Sequence, residues 1–125
     1  MSETSKKILI VEDDKAFLWI LKQSFASQGF TVVSAEDGED GLKMAEAEKP
    51  DLMLLDIMMP KMDGIEVAKQ MKLKGVNIPI IFLTNMSDME HMSKALETLP
   101  SDYIIKSDVP IDKIVAGVKK KLGIV

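Results

Sequence analysis

Leu52-Met53-Leu54-Leu55-Asp56-Ile57-Met58-Met59-Pro60-Lys61-Met62-Asp63-Gly64 decides the fold. A short apolar run ends on a carboxylate, and a proline and an Asp-Gly pair then turn the chain. Bounded by Pro50 and Pro60, the run suits a strand buried on both faces of a parallel sheet. Such a strand delivers its last residue to the carboxyl edge, where open α/β sheets keep their sites. Asp56 belongs at that edge. An aspartate closing an apolar strand costs free energy unless something there needs its charge.

Upstream, Lys7-Ile8-Leu9-Ile10-Val11 reads as a first strand that gives way to Glu12-Asp13-Asp14. Lys15 to Gln28 follows a helical period, with Phe17, Ile20, Leu21 and Phe25 towards the sheet. Leu18 and Trp19 then point partly outward, a candidate partner patch. Gly29 ends that helix. Thr31 to Ala35 is the second strand and Gly38 to Glu48 the second helix. Downstream, Gly64 to Leu73 is the third helix and Ile78 to Thr84 the fourth strand, with Pro79 near its start. Ser87-Asp88 caps a fourth helix that runs to about Leu99. Asp102 to Lys106 is a fifth strand. Pro110 to Leu122 is a fifth helix, with proline in its first turn and Gly123 past its end.

Five strands alternating with five helices predict a doubly wound α/β fold, flavodoxin-like (βα)5, with a five-stranded parallel sheet in the order 2-1-3-4-5. That order brings Glu12 and Asp13 to face Asp56 across the switch between the first and third strands.

The chain has 125 residues, enough for one domain spanning residues 1–125 with a core from about 7 to 122. No cysteine and one histidine exclude a disulfide framework, a thiolate metal site and paired-histidine chemistry. The formal net charge of -4 argues against direct nucleic-acid binding. Lys119-Lys120-Lys121 complements a helix C-terminus. No apolar run approaches the ~20 residues of a membrane span. The polar N-terminus enters a strand directly and does not read as a signal peptide, so a cytoplasmic protein is expected.

Every strand but the second ends in polar residues at one edge: Glu12, Asp13 and Asp14, then Asp56, Thr84 and Lys106. With Ile10-Val11-Glu12-Asp13-Asp14, Asp56-Ile57-Met58-Met59-Pro60-Lys61-Met62-Asp63-Gly64, Phe82-Leu83-Thr84 and Asp102-Tyr103-Ile104-Ile105-Lys106, the chain resembles the receiver domain of bacterial two-component response regulators, of chemotaxis type. The resemblance runs from Lys7 to Leu122. It implies that Asp56 accepts a phosphoryl group from a sensor histidine kinase or a histidine phosphotransfer protein in a phosphorelay. It further implies Mg²⁺ held by Asp13, Asp56 and the Met58 carbonyl, with Glu12 acting through water and Asp14 serving as an N-cap. Thr84 and Lys106 would contact the phosphoryl oxygens, and Tyr103 would follow the movement of Thr84. The output would be a contact with a downstream protein through the fourth helix, fifth strand and fifth helix, by a monomer or a phosphorylation-dependent dimer. The only catalysis expected is of its own phosphorylation and slow dephosphorylation.

The residue types suit that chemistry. Phosphoryl transfer leaves a protein mainly positioning and charge stabilisation to supply. Like charges at ~4 Å repel by about 1 to 4 kcal/mol, and a hard divalent cation relieves this. Two positions depart from the family pattern. Ser107 stands where proline usually follows the lysine, so a trans Lys106-Ser107 bond is expected. Asn85 replaces a very small residue after Thr84. Met58 and Met86, which by resemblance flank the approach of water, predict slow hydrolysis. His91 reads as solvent-facing, and Met86, Met89 and Met92 as core packing.

Two other readings stand beside this one. A Mg²⁺ phosphohydrolase with an aspartyl nucleophile would want a second aspartate where Met58 stands. A receiver-like interaction module never phosphorylated would be expected to lack one of Asp13, Asp56, Thr84 or Lys106, and all four are there.

Overall fold

A computed structural model describes residues 5–85, 102–106 and 109–124. Buried along its whole length, β3 (Leu52–Asp56) lies at the middle of a five-stranded sheet. β1 (Lys7–Val11) and β2 (Thr31–Ala35) extend it on one side, β4 (Ile80–Thr84) and β5 (Asp102–Ile105) on the other. The order is β2-β1-β3-β4-β5 and every pairing is parallel, as the alternation of elements predicts.

Helices α1 (Lys15–Ser27), α2 (Gly38–Glu48) and α3 (Gly64–Leu73) follow the first three strands, and α4 (Ile111–Leu122) follows β5. The helix expected over 88–99 lies outside the described residues, as do His91, Met86, Met89, Met92 and the Lys106-Ser107 bond. Side chains alternate along the sheet and build two separate cores. Leu9, Val11, Met53 and Leu55 pack with α2 and α3, whereas Ile8, Ile10, Leu52 and Leu54 pack with α1 and α4.

Strand and helix ends follow local chemistry. Gly29, past the end of α1, takes φ 92°, a left-handed conformation that glycine enters without a Cβ clash. β4 begins at Ile80 rather than Ile78. Pro79 precedes it, and its carbonyl accepts the Met53 N–H at 2.9 Å. α4 begins at Ile111, with Pro110 as its N-cap rather than in its first turn.

One orientation differs from the sequence reading. Leu18 is 5% exposed and packs in the core with Ile114, Val115 and Val118 of α4, while Ile20 is 42% exposed. The apolar stripe of α1 is Leu18, Leu21 and Phe25. At 100° per residue, that stripe is rotated by roughly 60° from the expected one. Docking of α1 against both the sheet and α4 sets this phase. Leu18 is therefore core and not a partner contact, whereas Trp19 is 63% exposed.

Candidate functional site

Strand register builds the site. Val11 lies beside Leu55, so the next residues, Glu12 and Asp56, meet at the carboxyl edge. Thr84 lies beside Ile105, so Lys106 leaves β5 just beyond Thr84, and its N–H donates to the Thr84 carbonyl at 2.8 Å.

Two helix starts hold the loops. The Asp14 carboxylate accepts the N–H groups of Ala16 at 3.1 Å and Phe17 at 3.2 Å, which starts α1 only three residues past Glu12. Asp14 is the expected N-cap. After β3, Asp63 caps α3 through the Glu66 N–H, and the Gly64 N–H donates to the Ile57 carbonyl at 2.9 Å. A Cβ at Gly64 would run into the Asp56 carbonyl oxygen. Glycine at that position lets α3 begin against the end of β3.

Carboxylate oxygens of Glu12, Asp13 and Asp56 lie within 4.8 Å of one another. Glu12 and Asp56 are buried and Asp13 is exposed. The Lys106 ammonium reaches into this group, 3.0 Å from Glu12 Oε1 and 3.3 Å from Asp56 Oδ1. The other Glu12 oxygen accepts the Asp14 N–H at 3.0 Å. The Phe17 ring lies beneath the same ammonium, its centroid 5.4 Å from Nζ.

Electrostatics follow from this crowding. Burial, and then the charge of Glu12, push the Asp56 carboxyl up to about 8, with Lys106 acting in opposition. For Lys106, burial works against the ammonium, but Asp56 and Glu12 outweigh it and raise its pKa. Fully ionised, three carboxylates face one ammonium, an excess of two negative charges. An all-oxygen donor set with that surplus fits a hard divalent cation such as Mg²⁺.

The remaining candidates are spread around this centre. Thr84 is fully buried, and its hydroxyl donates to the Asn85 carbonyl at 3.1 Å. Met58 follows Asp56 by two residues and is 54% exposed. Tyr103 is partly exposed on β5, beside Phe82 in register. Trp19 lies on the outer face of α1. Lys106 meets Asp56, but sequence reasoning missed Glu12 as its nearer partner. The signal was a glutamate directly after an apolar strand, yet strand register was needed to bring the two together. Phe17 was missed for a similar reason.

The description "Response regulator receiver domain" matches residues 8–119. The alkaline phosphatase synthesis transcriptional regulatory protein PhoP of Bacillus subtilis is 42% identical over 106 residues, covering 85% of this chain and 44% of that protein. Response regulator MprA of Mycobacterium ulcerans is 37% identical over 102 residues, covering 82% of this chain and 44% of MprA. The chain thus spans less than half the length of these relatives. A CheY-like receiver domain from Methanospirillum hungatei superposes with a TM-score of 0.85 at 33% identity, over 96% of this chain and 95% of that one. A receiver domain of a Francisella response regulator gives 0.85 at 28% identity, over 95% and 98%. Sequence, topology and solved structures agree, and the chain belongs to the response regulator receiver domain family.

Proposed function

We propose that this chain, as one receiver domain, is a phosphorylation-dependent signalling switch whose phosphoacceptor is Asp56. The donor is a phosphohistidine on a sensor histidine kinase or a histidine phosphotransfer protein. The observation that carries the reading is the convergence of three carboxylates and one ammonium on a single strand edge, with Asp56 among them. An Asp56 oxygen attacks phosphorus in line with the donor. The bond from phosphorus to the imidazole nitrogen breaks, the imidazole leaves with that electron pair, and an acyl phosphate stands on Asp56.

Lys106 exchanges its contact with Asp56 for one with a phosphoryl oxygen, a short movement for a point charge on a flexible stem. Thr84 turns its hydroxyl from the Asn85 carbonyl towards another phosphoryl oxygen. Asp13 and Asp56, with the Met58 carbonyl, would hold Mg²⁺. Glu12 would act through water, because its two oxygens already serve Lys106 and the Asp14 N–H. A cation held there would supply charge neutralisation for the phosphoryl group that these residues face.

Tyr103 passes the movement of Thr84 along β5 to α4, where a downstream protein docks. Trp19 contacts the phosphodonor. The protein acts in the cytoplasm, as a monomer or a phosphorylation-dependent dimer, and dephosphorylates itself slowly.

Intact mass after incubation with acetyl phosphate and Mg²⁺ tests the reading. The expected result is a gain of one phosphoryl group in the wild type and none in Asp56→Asn. An unlabelled wild type, or a labelled Asp56→Asn, overturns it.

A further inference from the structure

Among the described residues, Lys106 Nζ has three neighbours of negative potential. Two are the carboxylates of Glu12 at 3.0 Å and Asp56 at 3.3 Å, and the third is the face of Phe17, 5.4 Å to its centroid. Only 16% of the lysine side chain is exposed, so little water competes for the ammonium. Desolvation strengthens the attraction between a cation and an aromatic face.

The ring differs from the carboxylates in its response to reaction. Asp56 loses its carboxylate charge when it is phosphorylated, whereas Glu12 is fully buried and does not react. An ammonium held by these two alone would be left to Glu12, its nearer partner, whenever Asp56 is neutral. Phe17 keeps the same face throughout, and attraction to that face tolerates sliding in a way that a directed hydrogen bond does not. Its place is set by the first turn of α1, where the Asp14 cap accepts its N–H. Its ring packs against the core shared with α4.

We propose that Phe17 is a positioning residue for Lys106, holding the ammonium over the strand edge as its partner changes from the Asp56 carboxylate to the phosphoryl group. The inference rests on the phosphoacceptor reading of Asp56. It also makes α1 a mechanical support of the site and not only a covering helix. An aliphatic residue at 17 would fill the space and provide no such hold.

Phenylalanine analogues with one, two and three ring fluorines at position 17 test this. Fluorines withdraw electron density from the ring face in steps while scarcely changing its size, so folding is spared. The initial rate of labelling by acetyl phosphate at saturating Mg²⁺ should fall in the same steps, by about three- to tenfold across the series. Phe17→Tyr should stay within about twofold of wild type. The Lys106 ε-methylene protons should carry an aromatic ring-current shift that Phe17→Leu removes.

A flat fluorine series with a normally labelled wild type overturns this inference alone, as does an ε-methylene shift unchanged in Phe17→Leu. A wild type that is never labelled overturns the phosphoacceptor reading and this inference with it.

Discussion

At the scale of single residues, the fold holds Asp56 in a protonation state that nucleophilic attack by its carboxylate would have to undo. Burial first and the Glu12 charge second push its pKa up to about 8, from an ordinary 3.8. Between those values the folded chain keeps a proton that the unfolded chain has released. Stability from Asp56 is therefore complete below about pH 4 and is lost as pH rises through about 8. Asp56→Asn keeps the shape and removes the ionisation. In metal-free buffer near pH 8 it should be more stable than wild type by about 1 to 4 kcal/mol, the scale of two like charges ~4 Å apart. The gap should close towards pH 4. Denaturant unfolding of both proteins across that range measures it, and a gap independent of pH would mean that Asp56 does not titrate there.

Among the elements, α1 carries two adjacent residues with opposite fates. Leu18→Ala should cost about 2 to 5 kcal/mol, because it empties a core position against α4. Trp19→Ala should change stability by no more than about 0.5 kcal/mol. It should nevertheless slow transfer from a phosphohistidine partner and leave labelling by acetyl phosphate intact. Equal losses with both donors would make Trp19 a residue of the site's own architecture. Thermal unfolding and the two labelling rates separate these cases. The bounds of β3, α2 and α3 were legible in the sequence because proline, glycine and capping aspartates mark them. The phase of α1 was not legible, since Phe17 to Leu21 is apolar without a break and no face declares itself. Asp56, Asp13, Thr84 and Lys106 each stand at a strand end, so their gathering followed from topology. The contacts of Lys106 with Glu12 and Phe17 depend on register and rotamer, which pattern alone does not carry.

For the molecule as a whole, cation binding and folding are linked. The three carboxylates come from two strand ends that the unfolded chain does not hold together, so Mg²⁺ should bind the folded state alone. Ligand at a hundredfold excess over Kd adds about 2.7 kcal/mol. The melting temperature should rise by about 10 °C, and much less in Asp13→Asn. A calorimetric scan with and without Mg²⁺ measures this, and an unchanged midpoint would remove Mg²⁺ from the site. The sheet that brings the carboxylates together also divides the interior, and among the described residues the two cores share backbone but no buried side chain. Substitutions in one core should therefore add to those in the other, with little coupling between them. The side bearing α1 and α4 can then be rewritten by mutation while the α2 and α3 side keeps its packing. A scaffold partitioned in this way lets recognition diverge at small structural risk, so that many pathways can each inherit the same switch and keep to their own partners.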